Sequence, residues 1–184
     1  SEGPGAGIEY SPAMLAVLRE KATEKEIPVT LGDMSVVSAG QGYALVYLLY
    51  NTLSNLQTQD AQVDCFMNAT RHLAPGGRFV VEMWVPELRK LPPGQEAVVW
   101  DIRDGSIGLD TVDTLNQLVV SHHVSYDAQG NGTVTRSRHR YVWPAEMDLM
   151  ARLAGFILEA RYGDWMGRPY GADDRSQISV YRKE

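Results

Sequence analysis

The stretch Ala69-Thr-Arg-His-Leu-Ala-Pro-Gly-Gly-Arg-Phe-Val-Val-Glu-Met-Trp-Val-Pro86 decides the fold class. A helix is expected to end at Leu73, because Pro75 cannot continue it and Gly76-Gly77 supply a permissive turn. The run from Phe79 to Val85 is too short for a helix and rich in β-branched residues, which predicts a strand. Its near-continuous apolar character predicts cover on both faces, as in a parallel sheet under helices. Pro86 closes the strand. Helix, Pro-Gly-Gly and buried strand together make half of a doubly wound α/β unit.

The residues before this unit repeat the pattern. Ile8 to Tyr10 reads as the end of a strand. Ser11 is a good N-cap and Pro12 suits the first helical position. The helix is expected to run to about Thr23 and to bury Leu15, Leu18 and Ala22. Glu9 then lies at the carboxyl end of a strand, where open α/β sheets bind ligands and where a carboxylate can accept both ribose hydroxyls. An equally simple reading is an exposed carboxylate favoured by the helix dipole. Ile27 to Leu31 is a second strand, followed by Gly32-Asp33-Met34. Asp33 there is either an acceptor for an exocyclic amine or an ordinary turn residue. Tyr43 to Tyr50 is a third apolar strand. The polar run Asn51-Thr52-Leu53-Ser54-Asn55 follows it at the carboxyl edge of the sheet, where function concentrates. Thr58 or Asp60 caps the next helix, with Val63, Phe66, Met67 and Thr70 at inward spacing. Cys65 reads as packing, and His72 as a donor or charge at the helix end. Gly3-Pro4-Gly5-Ala6-Gly7 imitates a phosphate loop, but no strand precedes it, so a flexible terminus is the better reading.

The periodicity changes between Glu96 and Trp143. Ala97 to Arg103 and Leu115 to Tyr126 read as strands, Asp127 to Gly132 as a hairpin turn, and Thr133 to Trp143 as the return strand. Alternation puts Val134, Arg136, Arg138, Arg140 and Val142 on one face and Thr135, Ser137, His139, Tyr141 and Trp143 on the other. The arginines form either a solvated face or a site for an acidic substrate. His122 and His123 point to opposite faces, so at most one can face a pocket. Pro144 opens a helix that buries Met147, Met150, Ala151 and Ala154 and stops at Gly155. Phe156 to Tyr162 and Gln177 to Tyr181 are the last strands, antiparallel. Trp165 and Tyr170, in the loop between them, line a substrate entrance or cover the sheet edge.

Composition narrows the class. The chain has 184 residues, is 44% hydrophobic and carries a net charge of −6 with both signs dispersed. That suits one domain with a real core and disfavours a basic nucleic-acid surface. One cysteine gives neither a disulfide framework nor a cysteine-rich metal site, and no metal-ligand spacing is present. No apolar run approaches the roughly 18 residues of a membrane span, and no signal peptide is visible, so a cytoplasmic location is expected.

Four motifs come in register: Gly7-Ile8-Glu9-Tyr10-Ser11-Pro12-Ala13-Met14-Leu15, Gly32-Asp33-Met34, Tyr50-Asn51-Thr52-Leu53 and Leu73-Ala74-Pro75-Gly76-Gly77-Arg78-Phe79. In order and spacing the sequence resembles class I S-adenosylmethionine-dependent methyltransferases of the small-molecule branch. The resemblance implies that Glu9, with Tyr10 beside it, holds the ribose hydroxyls. It also implies that Asp33 lies by the adenine amine with Met34 against the ring, and that Tyr50 and Asn51 lie near the methionine part. The family opens with a strand and a Gly-x-Gly-x-Gly loop about 20 residues before the acidic ribose ligand, by analogy with dinucleotide folds. Here Gly7 stands two positions before Glu9.

The expectation is therefore α/β, a Rossmann-like sheet lacking its first βα unit, in residues 1–86 and 144–184, with an antiparallel β cap inserted at 87–143. The expected activity is methyl transfer from S-adenosylmethionine to nitrogen or oxygen of a small molecule, with His122, His123 and Tyr50 as candidate catalytic groups. The alternatives are a non-catalytic methyltransferase-like binding or assembly protein and a nicotinamide enzyme using Glu9 on ribose. Without the first strand, the edges ending at Glu9 and Tyr50 are expected to pair directly, to be covered by a second copy of the chain, or to receive a further segment.

Overall fold

The computed structural model describes residues 5–86, 88 and 91–184. Ser1 to Pro4, and with them the start of the glycine-rich stretch, lie outside the described residues. Strand β1 (Gly7–Glu9) leads to helix α1 (Pro12–Arg19) and strand β2 (Val29–Leu31). Strand β3 (Tyr43–Leu48), a 3₁₀ turn (Thr52–Asn55), helix α2 (Gln59–His72) and strand β4 (Leu73–Trp84) follow. Strands β5 (Ala97–Arg103), β6 (Ser106–Asp113), β7 (Leu118–Tyr126) and β8 (Gly132–Arg140) precede helix α3 (Pro144–Leu153) and strands β9 (Phe156–Tyr162) and β10 (Ser176–Lys183).

Three sheets result. β1 and β2 are a parallel pair, with Glu9 opposite Leu31. The second sheet has the order β3-β4-β10-β9, with β3 parallel to β4 and the other pairs antiparallel. The third is an antiparallel meander, β5-β6-β7-β8. Among the described residues β1 and β3 do not pair with one another, so the expected direct pairing of these two strands is not seen.

The core is the layer between α2, α3 and the second sheet. Phe66 of α2 meets Phe79 and Tyr181 edge-on, at ring distances of 5.1 and 5.8 Å. Met147, Met150, Ala151 and Ala154 are all buried, as the helical spacing predicts. α2 is rotated from the expected stripe. Its buried residues are Gln62, Cys65, Phe66, Asn68, Ala69 and His72, while Val63 and Met67 only pack against the core edge. Apolar periodicity misplaced this face because three polar side chains on it are satisfied by hydrogen bonds to other segments. Burial pushes the Cys65 thiol up to about 12, which makes it a packing group.

Boundaries differ from the sequence reading in physically clear ways. Ser11 caps α1 by accepting from the Met14 amide, but α1 ends at Arg19 and buries no residue. β4 begins at Leu73 rather than Phe79. Tyr43 pairs with Leu73, the register then breaks, and Leu45 resumes opposite Arg78. Gly77 makes this possible: a Cβ there would stand 2.9 Å from the Ala74 carbonyl oxygen and 3.1 Å from that of Tyr43. Between Arg103 and Leu115 the reading missed a whole strand, β6, which hairpins back through Gly105 at φ 75°.

Arg140 is a correction. Its neighbours Arg136 and Arg138 are exposed, but Arg140 is 5% exposed and lies in neither a solvated face nor a substrate site. Its guanidinium donates to Gln62 Oε1 (2.5 Å), Gln117 Oε1 (3.1 Å) and Glu146 Oε1 (2.7 Å). Gln62 Nε2 in turn donates to the carbonyls of Leu53, Leu56 and Arg140. Burial opposes ionisation of Glu146, but hydrogen bonds from Gln117, Arg140 and Gln59 outweigh it and hold the carboxyl below its ordinary 4.5. A lowered carboxyl pKa stabilises the fold above the unfolded value, and that contribution is lost as pH falls below about 4.5. Glu146→Ala leaves Arg140 without its counter-charge and is expected to cost about 3 kcal/mol, against less than about 0.5 kcal/mol for exposed Arg138→Ala. Urea unfolding of the two variants checks the contrast.

Candidate functional site

The chemistry-bearing residues gather at the carboxyl ends of the parallel strands. Glu9 ends β1, and its Oε1 accepts the Ser11 amide at 2.8 Å. The Gly32 amide donates to the Glu9 carbonyl at 2.8 Å, which joins the two strand ends. Asp33 follows at once. Ser35 donates to its Oδ1 through both the amide (2.8 Å) and the hydroxyl (2.7 Å). Gly32 has φ 153°, and a Cβ there would fall 2.4 Å from Val37 Cγ2, so the turn that carries Asp33 packs closely on Val37.

The loop carrying Asp33 and Met34 is latched to α2. Asn68 Nδ2 donates to the carbonyls of Met34 (2.9 Å) and Val37 (2.8 Å). His72 Nε2 accepts the Ala39 amide at 2.9 Å, so Nδ1 carries the ring proton and donates to the Asn68 carbonyl at 2.8 Å. His72 is thus the donor at the helix end that the sequence suggests, and it also links α2 to the Ala39 amide.

The next turn is strained. Tyr50 and Asn51, consecutive non-glycine residues, have φ 54° and 62°. Two neighbours in the left-handed region cost free energy, and such sites cluster where function constrains the backbone. Bonds from β4 hold them. Glu82 Oε2 accepts the Tyr50 amide (2.8 Å), the Glu82 carbonyl accepts that of Asn51 (3.3 Å), and Asn51 Oδ1 accepts the Trp84 amide (2.6 Å). Glu82 Oε1 also accepts Trp165 Nε1 at 3.0 Å, which draws the β9–β10 loop to the same edge.

A cleft of about 320 Å³ opens above this turn. Tyr50, Asn51, Ser54 and Asn55 form its floor, with Trp84 at one side. Asp110, Val119, Ser121 and His139 of the antiparallel sheet cover it. Ser54 Oγ donates to the Asn51 carbonyl at 2.8 Å and meets His139 Nδ1 at 3.2 Å. With the hydroxyl proton committed to the carbonyl, Nδ1 is the donor, and Nε2 is the unprotonated nitrogen, accepting from Ser137 Oγ at 2.9 Å. Burial lowers the His139 pKa from 6.5, with Asp110 opposing and His123 reinforcing the shift. Burial thus favours the neutral form of a ring that Ser54 and Ser137 orient, and Asp110 lines the same cleft.

The sequence reading located this edge but not the histidine. Of its site residues, Tyr50 and Asn51 line the cleft. Glu9, Asp33 and half-buried Met34 lie along the strand ends, and Tyr10 is 77% exposed. His122 sits on the opposite face of β7, between Thr111 Oγ1 and Arg136 Nε at 3.2 Å each. His123 shares the cleft's face but stacks edge-on to Trp100 at 5.4 Å, beyond the cleft lining. The alternation along Thr133 to Trp143 already separated His139 from the arginines. What it could not give was the register, Val119 opposite His139, that sets the ring over Ser54. Among the described residues no group of three metal-ligating side chains occurs, and no helix is long and apolar enough to cross a membrane.

No protein-family model matches the chain. It is 35% identical to the CcbJ methyltransferase from Streptomyces caelestis, whose structure matches with a TM-score of 0.85 over 97% of this chain and 74% of that one. The chain belongs to the S-adenosylmethionine-dependent methyltransferases. It is also 25% identical to the cypemycin N-terminal methyltransferase of Streptomyces sp over 182 residues, 96% of this chain and 73% of that protein. CalS10, an amino pentose methyltransferase from Micromonospora echinaspora with S-adenosylmethionine bound, shares the fold at 22% identity and a TM-score of 0.73, over 97% of this chain and 73% of that one. The methyltransferase fold is Rossmann-like α/β with a separate antiparallel four-stranded sheet, and the cofactor is S-adenosylmethionine.

The latch gives a direct test. In Asn68→Ala the carbonyls of Met34 and Val37 lose their donor, at about 1–3 kcal/mol for each group left unpaired. Amide hydrogen exchange is expected to rise across residues 34–39 ahead of the core strands. Unchanged protection there would show that the loop holds without Asn68.

Proposed function

We propose that this methyltransferase acts on the amine nitrogen of a small molecule, bound in the cleft between the Tyr50–Asn55 segment and the antiparallel sheet. The observation that carries the reading is that His139, whose ring burial favours in its neutral form, and Asp110 line the same cleft from the antiparallel sheet. An amine reaches the site as an ammonium and must lose a proton before its lone pair can attack. Asp110 attracts the cation, and His139 Nε2 takes up the proton as the Ser137 hydroxyl turns from donor to acceptor, while Nδ1–H remains anchored to Ser54. An N-terminal amine and an amino sugar are the groups named for the two methyltransferase relatives, cypemycin's and CalS10.

S-adenosylmethionine supplies an electrophilic methyl on a sulfonium. The residues present fit it: two carboxylates at adjoining strand ends, each with one oxygen tied to its own backbone, can accept ribose hydroxyls at Glu9 and an exocyclic amine at Asp33. Met34 would lie against the adenine ring and Tyr10 beside Glu9 at the ribose, with Tyr50 and Asn51 near the methionine part. The protein's part is to hold nucleophile and methyl at attack distance and to exclude water. We further infer that a strand-and-glycine-loop unit outside these 184 residues lies between β1 and β3 and binds the amino-acid end of the cofactor. Its support is that β1 pairs only with β2, and β3 only with β4, among the described residues. Leu45 and Tyr47 on β3 are half-exposed or more. In this reading residues 1–86 and 144–184 form the sheet domain and 87–143 the cap.

The test is methyl transfer by the full-length enzyme to a panel of small amines, read as a 14 Da gain with labelled cofactor as control (about 14 Da per methyl). His139→Ala is expected to lower kcat on the order of 10²-fold with cofactor affinity unchanged. Because burial favours the neutral ring, the acidic limb of the kcat–pH profile is expected below 6.5, and it should vanish in His139→Ala. Asp33→Ala is expected to weaken cofactor binding by roughly 1–3 kcal/mol in calorimetry. Equal affinity would make Asp33 a turn residue only.

A further inference from the structure

A second cavity of about 450 Å³ adjoins the cleft. Trp84, Asp110 and Val119 line both, so the two spaces meet at these three residues. Trp84 is anchored at this junction. Its backbone amide is held by Asn51 Oδ1 at 2.6 Å, and it packs edge-on to buried Tyr141 at 6.3 Å. The second cavity differs in chemistry from the first. Beyond the shared residues its walls are mostly aliphatic and aromatic, with Leu91, Val98, Trp100 and Val112 among them. Val98 and Val112 come from β5 and β6, on the face that carries Asp110. Trp100 Nε1 donates to Asp110 Oδ1 at 2.9 Å, which fixes the indole against the carboxylate at the junction.

The geometry points to a bipartite acceptor: a cationic amine at Asp110 and His139, joined to an apolar arm that fills the chamber beyond Trp84. The inference rests on the amine reading of the cleft and adds the class of molecule that carries the amine. A purely hydrophilic acceptor would leave the valine and tryptophan walls wetted, whereas an alkyl or aromatic arm removes them from water. The carboxylate at the neck sets the order of the parts, with the charged end toward His139 and the apolar end away from it.

The test compares two probes that share the amine and differ only in the arm, n-hexylamine and ethylamine, by ligand-observed NMR titration of the full-length enzyme. Hexylamine is expected to bind at least about 10-fold more tightly, since methylenes in an apolar pocket each discriminate on the order of tenfold or less after solvent losses. Val112→Trp and, independently, Val98→Trp fill the chamber and should bring the ratio of the two dissociation constants to within about threefold. Equal binding of the two amines by the unaltered enzyme, or a ratio that survives both substitutions, overturns the inference, and the first of these needs no variant. Methyl transfer to hexylamine is measured separately. Tight, arm-dependent binding without transfer supports the chamber and counts against the methylation reading of the cleft.

Discussion

The buried guanidinium of Arg140 organises the molecule. Removing a permanent cation from water is costly, and the cost is met only where several acceptors converge on it. Here they come from α2 (Gln62), the β6–β7 turn (Gln117) and α3 (Glu146), so the group ties three separate segments together. Such a cluster contributes less to net stability than apolar packing of the same volume would. Its effect is to fix geometry. The Gln62 amide that faces Arg140 also holds the Leu53 and Leu56 carbonyls, on either side of Ser54. His139 precedes Arg140 and points to the other face of β8. The arginine therefore places the histidine ring and its serine partner with one set of bonds.

The strained turn at Tyr50 and Asn51 depends on that placement. Left-handed backbone at two successive side-chain-bearing residues persists only when the surroundings over-determine it. The Glu82 carboxylate and carbonyl, the Trp84 amide and the Ser54 hydroxyl all take part. Each of these groups lies at the carboxyl end of β3 or β4 or in the turn itself. In the proposed reading the strain sits between cofactor and acceptor, on the strand ends of β3 and β4.

The sheet strands were legible because they are apolar runs bounded by proline, glycine or polar residues. β9 agrees with its sequence-derived limits from Phe156 to Tyr162, and β5 with its limits from Ala97 to Arg103. The strand-end acids Glu9 and Asp33 were legible as positions, because a strand followed by a cap or a Gly-Asp turn marks the carboxyl edge. β6 was not, since Ser106 to Asp113 mixes glycine and aspartate with its apolar residues and so carries little strand signal of its own. The α2 face was not either, because Gln62, Asn68 and His72 look like surface residues until their partners, far away in sequence, are known. His139 fell between these cases. Period-two alternation gave its face, while its role depends on a strand register and a tautomer that no local pattern encodes.

The same distribution of contacts makes stability uneven along the site. α1 buries no residue, and β1 and β2 have only half-buried or exposed side chains. The end that carries Glu9 and Asp33 is joined to the core chiefly through the Asn68 and His72 latch, whereas the acceptor end stands on Phe66, Phe79, Val142 and the Arg140 cluster. Segments with few buried apolar contacts open at low free energy, and a ligand that binds only the closed form stabilises them by mass action. An adenosine spanning the two carboxylates would tie β1 and β2 together through groups that now bond only to their own backbone or to Ser35. On the proposed site the cofactor would then help to order its own half, while the cleft proposed for the acceptor stands on the packed core in advance.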